Sequence, residues 1–116
     1  MQIVATSADL EAALAADVAL LFKHSMTCPI SAAARREMQT LLARRPDAPV
    51  YVLDVHQAAR ISHDVGRRTS IQHESPQVIL FASGEPVWHA SHYSIRAAAV
   101  ERALDEVERE GAIAER

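Results

Sequence analysis

Three apolar runs of strand length, set apart by segments with helical periodicity, constrain the fold of this chain more than any other feature. The runs cover residues 18–22, 50–55 and 77–82. Unbroken apolar runs of this length are typical of strands that are covered on both faces. We therefore expect an α/β protein in which helices lie on each side of a sheet. A chain of 116 residues has room for one such domain, spanning 1–116.

Apolar residues at helical spacing, together with start and stop signals, predict four helices. The first begins at Thr6, the second runs from Pro29 until Pro46 stops it, the third lies around 58–66, and the fourth is capped by Ser94 and ends near Gly111.

A hairpin is predicted late in the chain, where a turn at 83–86 joins strand 77–82 to a partner at 87–90. Strands paired without a crossover are antiparallel, so the whole order predicts a small mixed β-sheet of about four strands flanked by helices. This topology is thioredoxin-like. It places Cys28 at the carboxyl end of a central strand, where open α/β sheets usually have their sites.

Cys28 is the only cysteine, and it stands between the apolar run 18–22 and a predicted helix. The unpaired N–H groups of a first helical turn stabilise a thiolate and lower the pKa of a thiol. Pro29 fits the first helical position because its missing N–H would have no partner there. The pattern favours a reactive thiol over the alternative of a small buried hydrophobic residue. Ser31 occupies the position of a dithiol enzyme's second cysteine, so redox chemistry here would be monothiol chemistry.

Composition excludes several classes of protein. The formal net charge of −3 argues against general affinity for nucleic acid, and the arginine pairs at 35–36, 44–45 and 67–68 are predicted to lie on solvated helix faces. No apolar run approaches membrane-spanning length, and the first 16 residues lack the basic region of a signal peptide. A single cysteine forms no internal disulfide, which agrees with a reducing compartment, so we expect a cytoplasmic protein.

Six histidines are present, and their spacing matches no zinc pattern, so no metal site is expected. His24 and His73 stand near Cys28 and Pro76 in the sequence; they either border the active site or are ordinary polar loop residues. The others are His56, His63, His89 and His92. Trp88, in the last predicted strand, is expected to serve packing.

Two stretches carry a more specific resemblance: residues 22–31, which contain Thr-Cys-Pro-Ile-Ser, and residues 73–77 leading to 88–92. Together they resemble the YtxJ type of monothiol bacilliredoxin over nearly the whole chain. The resemblance implies a thioredoxin fold that acts on bacillithiol mixed disulfides, with Cys28 as the catalytic residue. Phe22 stands where dithiol thioredoxins usually hold a buried aspartate, so a proton relay for a resolving cysteine is absent.

The predicted substrate-binding or thiolate-stabilising residues are Thr27, Pro29, Ile30, Ser31, Ser75 and Pro76. Among them, the Thr27 and Ser31 hydroxyls and the N–H groups of the first helical turn are expected to stabilise the Cys28 thiolate through hydrogen bonds. General statistics favour a trans Ser75–Pro76 bond, and a proline that merely starts a strand is one alternative. The resemblance implies instead that this bond is cis and that Pro76 faces Cys28, with the backbone before it pairing with an extended substrate.

The implied partners are S-bacillithiolated client proteins, bacillithiol as the small-thiol co-substrate, and an external reductase system, with no tightly bound cofactor. Two other classes stay open at this point. One is a monothiol glutaredoxin that uses glutathione or ligates an iron-sulfur cluster through Cys28. The other is a thioredoxin-fold binding or redox-sensing module whose thiol is not catalytic.

Overall fold

The computed structural model of the protein describes the backbone of residues 1–114 and the side chains of residues 1–111. Residues 115 and 116, the end of the predicted domain 1–116, lie outside the described part. The elements in chain order are β1 Gln2–Ile3, α1 Ser7–Ala15, β2 Val18–His24, α2 Pro29–Arg44, β3 Val50–Asp54, α3 Ala59–Thr69, β4 Gln77–Ala82, β5 Glu85–Ser91, a 3₁₀ helix His92–Ser94, and α4 Ala97–Ala114.

The strands form one mixed sheet in the order β1-β3-β2-β4-β5. Strand β2 is central, parallel to β3 and antiparallel to β4. The sheet has five strands instead of the predicted four or so, because β1 adds to its edge through the pairs Gln2 with Tyr51 and Ile3 with Val52. Both residues of β1 are exposed, so this strand leaves no apolar pattern in the sequence.

Two apolar clusters explain why β2 reads as an unbroken apolar run. Leu20 and Phe22 pack with residues of α2 and α4 on one face of the sheet. Ala19 and Leu21 pack with residues of α1 and α3 on the other face. Full burial of each large apolar side chain stabilises the fold by about 1.5–3 kcal/mol. Side chains on both faces of this strand therefore contribute to the stability of the core.

Helix starts follow the predictions at three of the four helices. Thr6 caps α1, and its hydroxyl and the Asp9 carboxylate each accept a hydrogen bond from the other residue's backbone. Pro29 is the first residue of α2, as predicted. The third helix begins at Ala59 and continues past the predicted end near Gly66, because the chain turns only at Ser70, whose φ is 59°.

The start of α4 differs from the prediction. Ser94 lies in the 3₁₀ helix and does not cap α4, which begins three residues later at Ala97. The backbone N–H of Ala97 instead donates to Glu37 Oε1 at 2.9 Å, so a side chain of α2 supplies the cap. The helix also continues through Gly111, its predicted end, to Ala114.

An arginine at the end of α2 joins this helix to α4. The Arg45 guanidinium binds the carboxylates of Asp105 and Glu108, and its side chain is only 25% exposed. The prediction of a solvated helix face is therefore wrong for Arg45. Trp88 is half-buried against the α2 and α4 side of the core, which confirms its packing role. Among the helices described, none is long and apolar enough to cross a membrane.

Candidate active site

Cys28 lies at the N-terminus of α2, in a short loop that leaves the central strand. It is the residue that precedes the first helical position, with φ −97° and ψ 125°. Its carbonyl accepts the first helical hydrogen bond, from the N–H of Ala32 at 3.1 Å. The side chain is half-exposed and the cysteine is free. An external disulfide can therefore reach the sulfur.

The first turn of α2 lowers the pKa of the Cys28 thiol. The largest cause is the backbone N–H of Ser31, followed by the backbone N–H of Ile30, both of which stabilise the thiolate. Partial burial of the sulfur opposes this effect, while the Ser31 hydroxyl and the positive charge of Arg35 add to it. These are the ordinary means by which a helix N-terminus makes a cysteine nucleophilic.

Ser31 and Thr27 hold the loop that carries Cys28. Ser31 is fully buried, and its hydroxyl oxygen accepts a hydrogen bond from the backbone N–H of Ser25 at 3.0 Å. The exposed Thr27 shares a hydrogen bond of 3.2 Å with the hydroxyl of Ser25. The Thr27 hydroxyl is therefore engaged within the loop, and the groups that lower the pKa of Cys28 come from α2.

The Ser75–Pro76 segment lies at the same end of the strands as the C-terminal end of β2, because β4 runs antiparallel to β2 and Pro76 immediately precedes β4. The Ser75–Pro76 bond is cis, as the resemblance implies. The carbonyl of the buried Pro76 accepts from the N–H of His92 at 2.9 Å. The Ser75 hydroxyl is buried, and no partner for it exists among the described residues.

Arg35 is a site residue that the sequence analysis missed. It lies half-buried on α2, and its Nη1 donates to the carbonyl oxygen of Ser25 at 3.1 Å and to Nδ1 of His24 at 3.2 Å. The prediction of a solvated helix face is therefore wrong for Arg35. The residue lies seven positions after Cys28, and long side chains of a helix lean toward its N-terminus, which brings the guanidinium back to the loop.

His24 is buried at the end of β2 and stacks on the ring of Phe22, with 5.2 Å between ring centroids. Burial lowers the pKa of His24, and the charge of Arg35 lowers it further, while Asp54 opposes both. Its Nδ1 accepts the hydrogen bond of Arg35, because a guanidinium has no acceptor. The contact with His24 therefore helps to orient Arg35 against the loop that carries Cys28.

Lys23 is the second residue that the sequence analysis missed. Its side chain is fully buried, and Nζ donates to Oε1 of Gln77 at 3.0 Å. Burial lowers the pKa of Lys23 to about 8, against a smaller opposite effect of Glu74. The Gln77 side chain also donates to the Gln72 carbonyl at 3.1 Å and lies 3.3 Å from the Ser91 hydroxyl. This network fastens the segment before β4 to β2.

The predicted strand ended before Lys23, but β2 continues through His24. Both polar side chains are buried because each finds a hydrogen-bond partner inside the protein, which removes the penalty that would otherwise exclude them from a strand interior. The sequence shows the polarity of these residues and not their distant partners.

A groove of about 660 Å³ lies between α3 and the chain that follows it, and its lining includes Ser62, His63, Arg67 and His73. Nδ1 of His73 lies 3.3 Å from the Ser62 hydroxyl. Cys28 is not among the residues that line this groove. Within residues 1–111, no three histidine, cysteine, aspartate or glutamate side chains form a group that could hold a metal ion.

Comparison with known proteins gives a match to a family model. The family model described as monothiol bacilliredoxin BrxC matches residues 2–100. Among solved structures, one described as "a putative oxidoreductase with a thioredoxin fold" is 32% identical, covers 88% of this chain and 91% of its own, and has a TM-score of 0.83.

Two thioredoxins show the same fold at lower identity. A mutant thioredoxin from Halobacterium salinarum NRC-1 is 21% identical, covers 91% of this chain and 88% of its own, and has a TM-score of 0.75. Mitochondrial thioredoxin 3 from Saccharomyces cerevisiae is 12% identical, covers 91% of this chain and 94% of its own, and has a TM-score of 0.71. The predicted α/β thioredoxin-like fold is confirmed.

Proposed function

Because the chain belongs to the monothiol bacilliredoxin family, we propose that it removes bacillithiol from S-bacillithiolated client proteins, with Cys28 as the nucleophile. The family and the thioredoxin fold support a thiol redox function. The observation that carries the finer proposal is the half-exposed Cys28 thiol at the N-terminus of α2, with its pKa lowered by the N–H groups of Ser31 and Ile30.

In the first step, the Cys28 thiolate attacks the bacillithiol sulfur of the client's mixed disulfide. The bond between the client sulfur and the bacillithiol sulfur breaks, and a disulfide forms between Cys28 and bacillithiol. The client leaves as a thiolate and takes a proton from water. Attack requires a thiolate and access along the axis of the disulfide, which a half-exposed thiol at a helix tip offers.

In the second step, an external thiol resets the enzyme. A bacillithiol thiolate attacks the bacillithiol sulfur bound to Cys28, releases the Cys28 thiolate, and forms bacillithiol disulfide. Ser31 supports an external reductant, because the position of a resolving cysteine holds a hydroxyl bound to the Ser25 backbone. An external reductase system would then reduce bacillithiol disulfide. Chemistry of this kind fits the cytoplasm, where thiol pools are kept reduced.

The segment before Pro76 offers a place for the client's backbone. Strand β4 is paired on both sides from Gln77 onward. In the described structure, the backbone N–H and C=O of Ser75 have no backbone partner. Free backbone groups beside a sheet bind extended peptides without requiring particular side chains. Ser75 and Pro76 would thus hold the client while Cys28 attacks.

The small thiol can be identified with one client protein prepared in two forms, bacillithiolated and glutathionylated. Each form is mixed with the reduced protein, and intact-mass analysis follows the adduct on Cys28. Faster transfer of bacillithiol is the expected result. Equal or faster transfer of glutathione would move the protein to a glutaredoxin-like activity, and no transfer from either form would indicate a binding or sensing role. The Cys28→Ser variant is the matched control.

A further inference from the structure

The carbonyl oxygen of Ser25 connects Arg35 to the active-site cysteine. It accepts a hydrogen bond from Nη1 of Arg35 at 3.1 Å, and the backbone N–H of Cys28 points to the same oxygen at 3.5 Å. The Nδ1 atom of His24 fixes the guanidinium from a second direction. The cation is therefore held against the loop that carries Cys28, and its charge acts on the thiol.

The charge of Arg35 is not matched by a carboxylate within the described residues. Its two partners, a carbonyl oxygen and the imidazole ring of His24, carry no negative charge. By contrast, Arg45 and Arg68 bind carboxylates. Nε and Nη2 of Arg35 make no hydrogen bond to any described residue. Their N–H groups are therefore free to donate to a bound ligand. A half-buried cation has lost part of its hydration, and binding an anion stabilises it through charge-assisted hydrogen bonds.

We propose that Arg35 binds a carboxylate of the small thiol that is transferred, so that the site selects anionic low-molecular-weight thiols over neutral and cationic ones. This inference rests on the proposed exchange at Cys28 and adds the chemical class of the co-substrate. A guanidinium suits the role because its two parallel N–H donors match the two oxygens of a carboxylate. The nearby thiol would then receive a disulfide whose orientation is already fixed.

The test uses three small thiols of similar size and different charge. One cysteine-containing client peptide is prepared as a mixed disulfide with 3-mercaptopropionate, 2-mercaptoethanol or cysteamine, which carry an anionic, a neutral and a cationic group. The rate of transfer to Cys28 of the full-length protein is followed by mass. The measured quantity is the ratio of the 3-mercaptopropionate rate to the 2-mercaptoethanol rate, because the thiolate fraction of Cys28 affects both rates equally and cancels.

Wild-type protein is expected to transfer 3-mercaptopropionate fastest and cysteamine slowest. In Arg35→Gln the ratio should fall by about tenfold, the size of a charge-assisted hydrogen bond that is partly open to solvent. In Arg35→Lys it should fall less, since the charge remains and the planar fork is lost. The matched control is Arg36→Gln, which removes the same charge from the exposed neighbouring residue and should leave the ratio unchanged.

An unchanged ratio in Arg35→Gln would overturn the inference. An equal fall in Arg36→Gln would also overturn it, because a general field and not a bound carboxylate would then be responsible. If the wild-type protein transferred none of the three thiols, or all three at the same rate, the inference would be overturned, because the charge of the thiol would not decide its transfer. The proposed exchange itself would fail only if bacillithiol also did not move to Cys28, which the experiment with the bacillithiolated client measures. Should Arg35→Gln unfold, Arg35→Lys takes its place in the test, and a ratio equal to that of the wild type would then overturn the inference.

Discussion

The Ser31 hydroxyl accepts a hydrogen bond from the backbone N–H of Ser25, although Ser31 occupies the position where a dithiol enzyme has its second cysteine. The bond is 3.0 Å long and both residues are buried. Ser31 therefore has two effects: it leaves the chain without a second active-site thiol, and its hydroxyl holds the loop between β2 and Cys28. Its loss should affect both the stability of the loop and the thiol.

Ser31→Ala should lower the free energy of unfolding by about 1–3 kcal/mol, because the buried N–H of Ser25 loses its acceptor. Urea unfolding followed by circular dichroism measures the change. Thr27→Ala serves as the control, since the exposed Thr27 hydroxyl should contribute only a few tenths of this amount. Equal stability of wild type and Ser31→Ala would contradict a supporting role for this hydrogen bond.

Ser75→Ala is expected to keep or raise the stability of the protein. The Ser75 hydroxyl is buried without a partner among the described residues, and such a group loses its bonds to water without replacement. Removing it should raise the free energy of unfolding by up to about 1 kcal/mol. The same urea experiment measures this. A clear loss of stability would show that the hydroxyl has a bonding partner in the folded protein.

Lys23 should make stability rise with pH on the alkaline side. Burial lowers its pKa to about 8 in the folded state, from 10.5. Between these values the unfolded chain binds more protons than the folded protein, so the free energy of unfolding increases as pH increases. Urea unfolding at several pH values from about 7.5 to about 9.5 should show this rise in a Cys28→Ser background, which removes the titration of the thiol.

The matched comparison is Lys23→Met in the same background. Methionine keeps most of the side-chain volume and cannot titrate, so the rise over the same pH range should become much smaller. The comparison uses the slope, because the absolute stability also changes when Gln77 loses a donor. Identical slopes in the two proteins would mean that the lysine ammonium is solvated in the folded state.

Alkylation should reveal a thiol that ionises below its ordinary range. The rate of reaction of Cys28 with iodoacetamide, measured against pH, is expected to reach half its maximum below the ordinary pKa of a free cysteine thiol, because the N–H groups of Ser31 and Ile30 stabilise the thiolate. Arg35→Gln should move this midpoint upward, since the positive charge near the sulfur is lost. A midpoint at the ordinary value would favour a non-catalytic cysteine.

Local sequence patterns were sufficient for the central strands of the sheet and for the position of Cys28. The unbroken apolar run of β2 reflects its burial on both faces, and the Cys-Pro pair marks the start of α2. These features depend on residues within a few positions of one another. Cys28 at a helix tip and the cis bond before Pro76 followed respectively from such local rules and from the resemblance.

The features that were missed depend on contacts between distant parts of the chain. Lys23 and Gln77 are 54 positions apart, and their hydrogen bond explains how a lysine can be buried in a central strand. The cap of α4 comes from Glu37, 60 positions before Ala97, so the local signal at Ser94 was misleading. Arg35 looked like a solvated surface residue because its partners lie on the preceding strand and loop. The helical periodicity of a sequence does not predict hydrogen bonds between residues on different elements.

The central claim is that the bacillithiol group moves directly from the client to Cys28. Rapid acid quenching of a single turnover, followed by intact-mass analysis of both proteins, measures the loss of bacillithiol from the client and its gain by Cys28 in the same samples. The account predicts equal rate constants for the loss and the gain, and no transfer in Cys28→Ser. Loss of bacillithiol from the client without an adduct on Cys28, or continued turnover by Cys28→Ser, would contradict it.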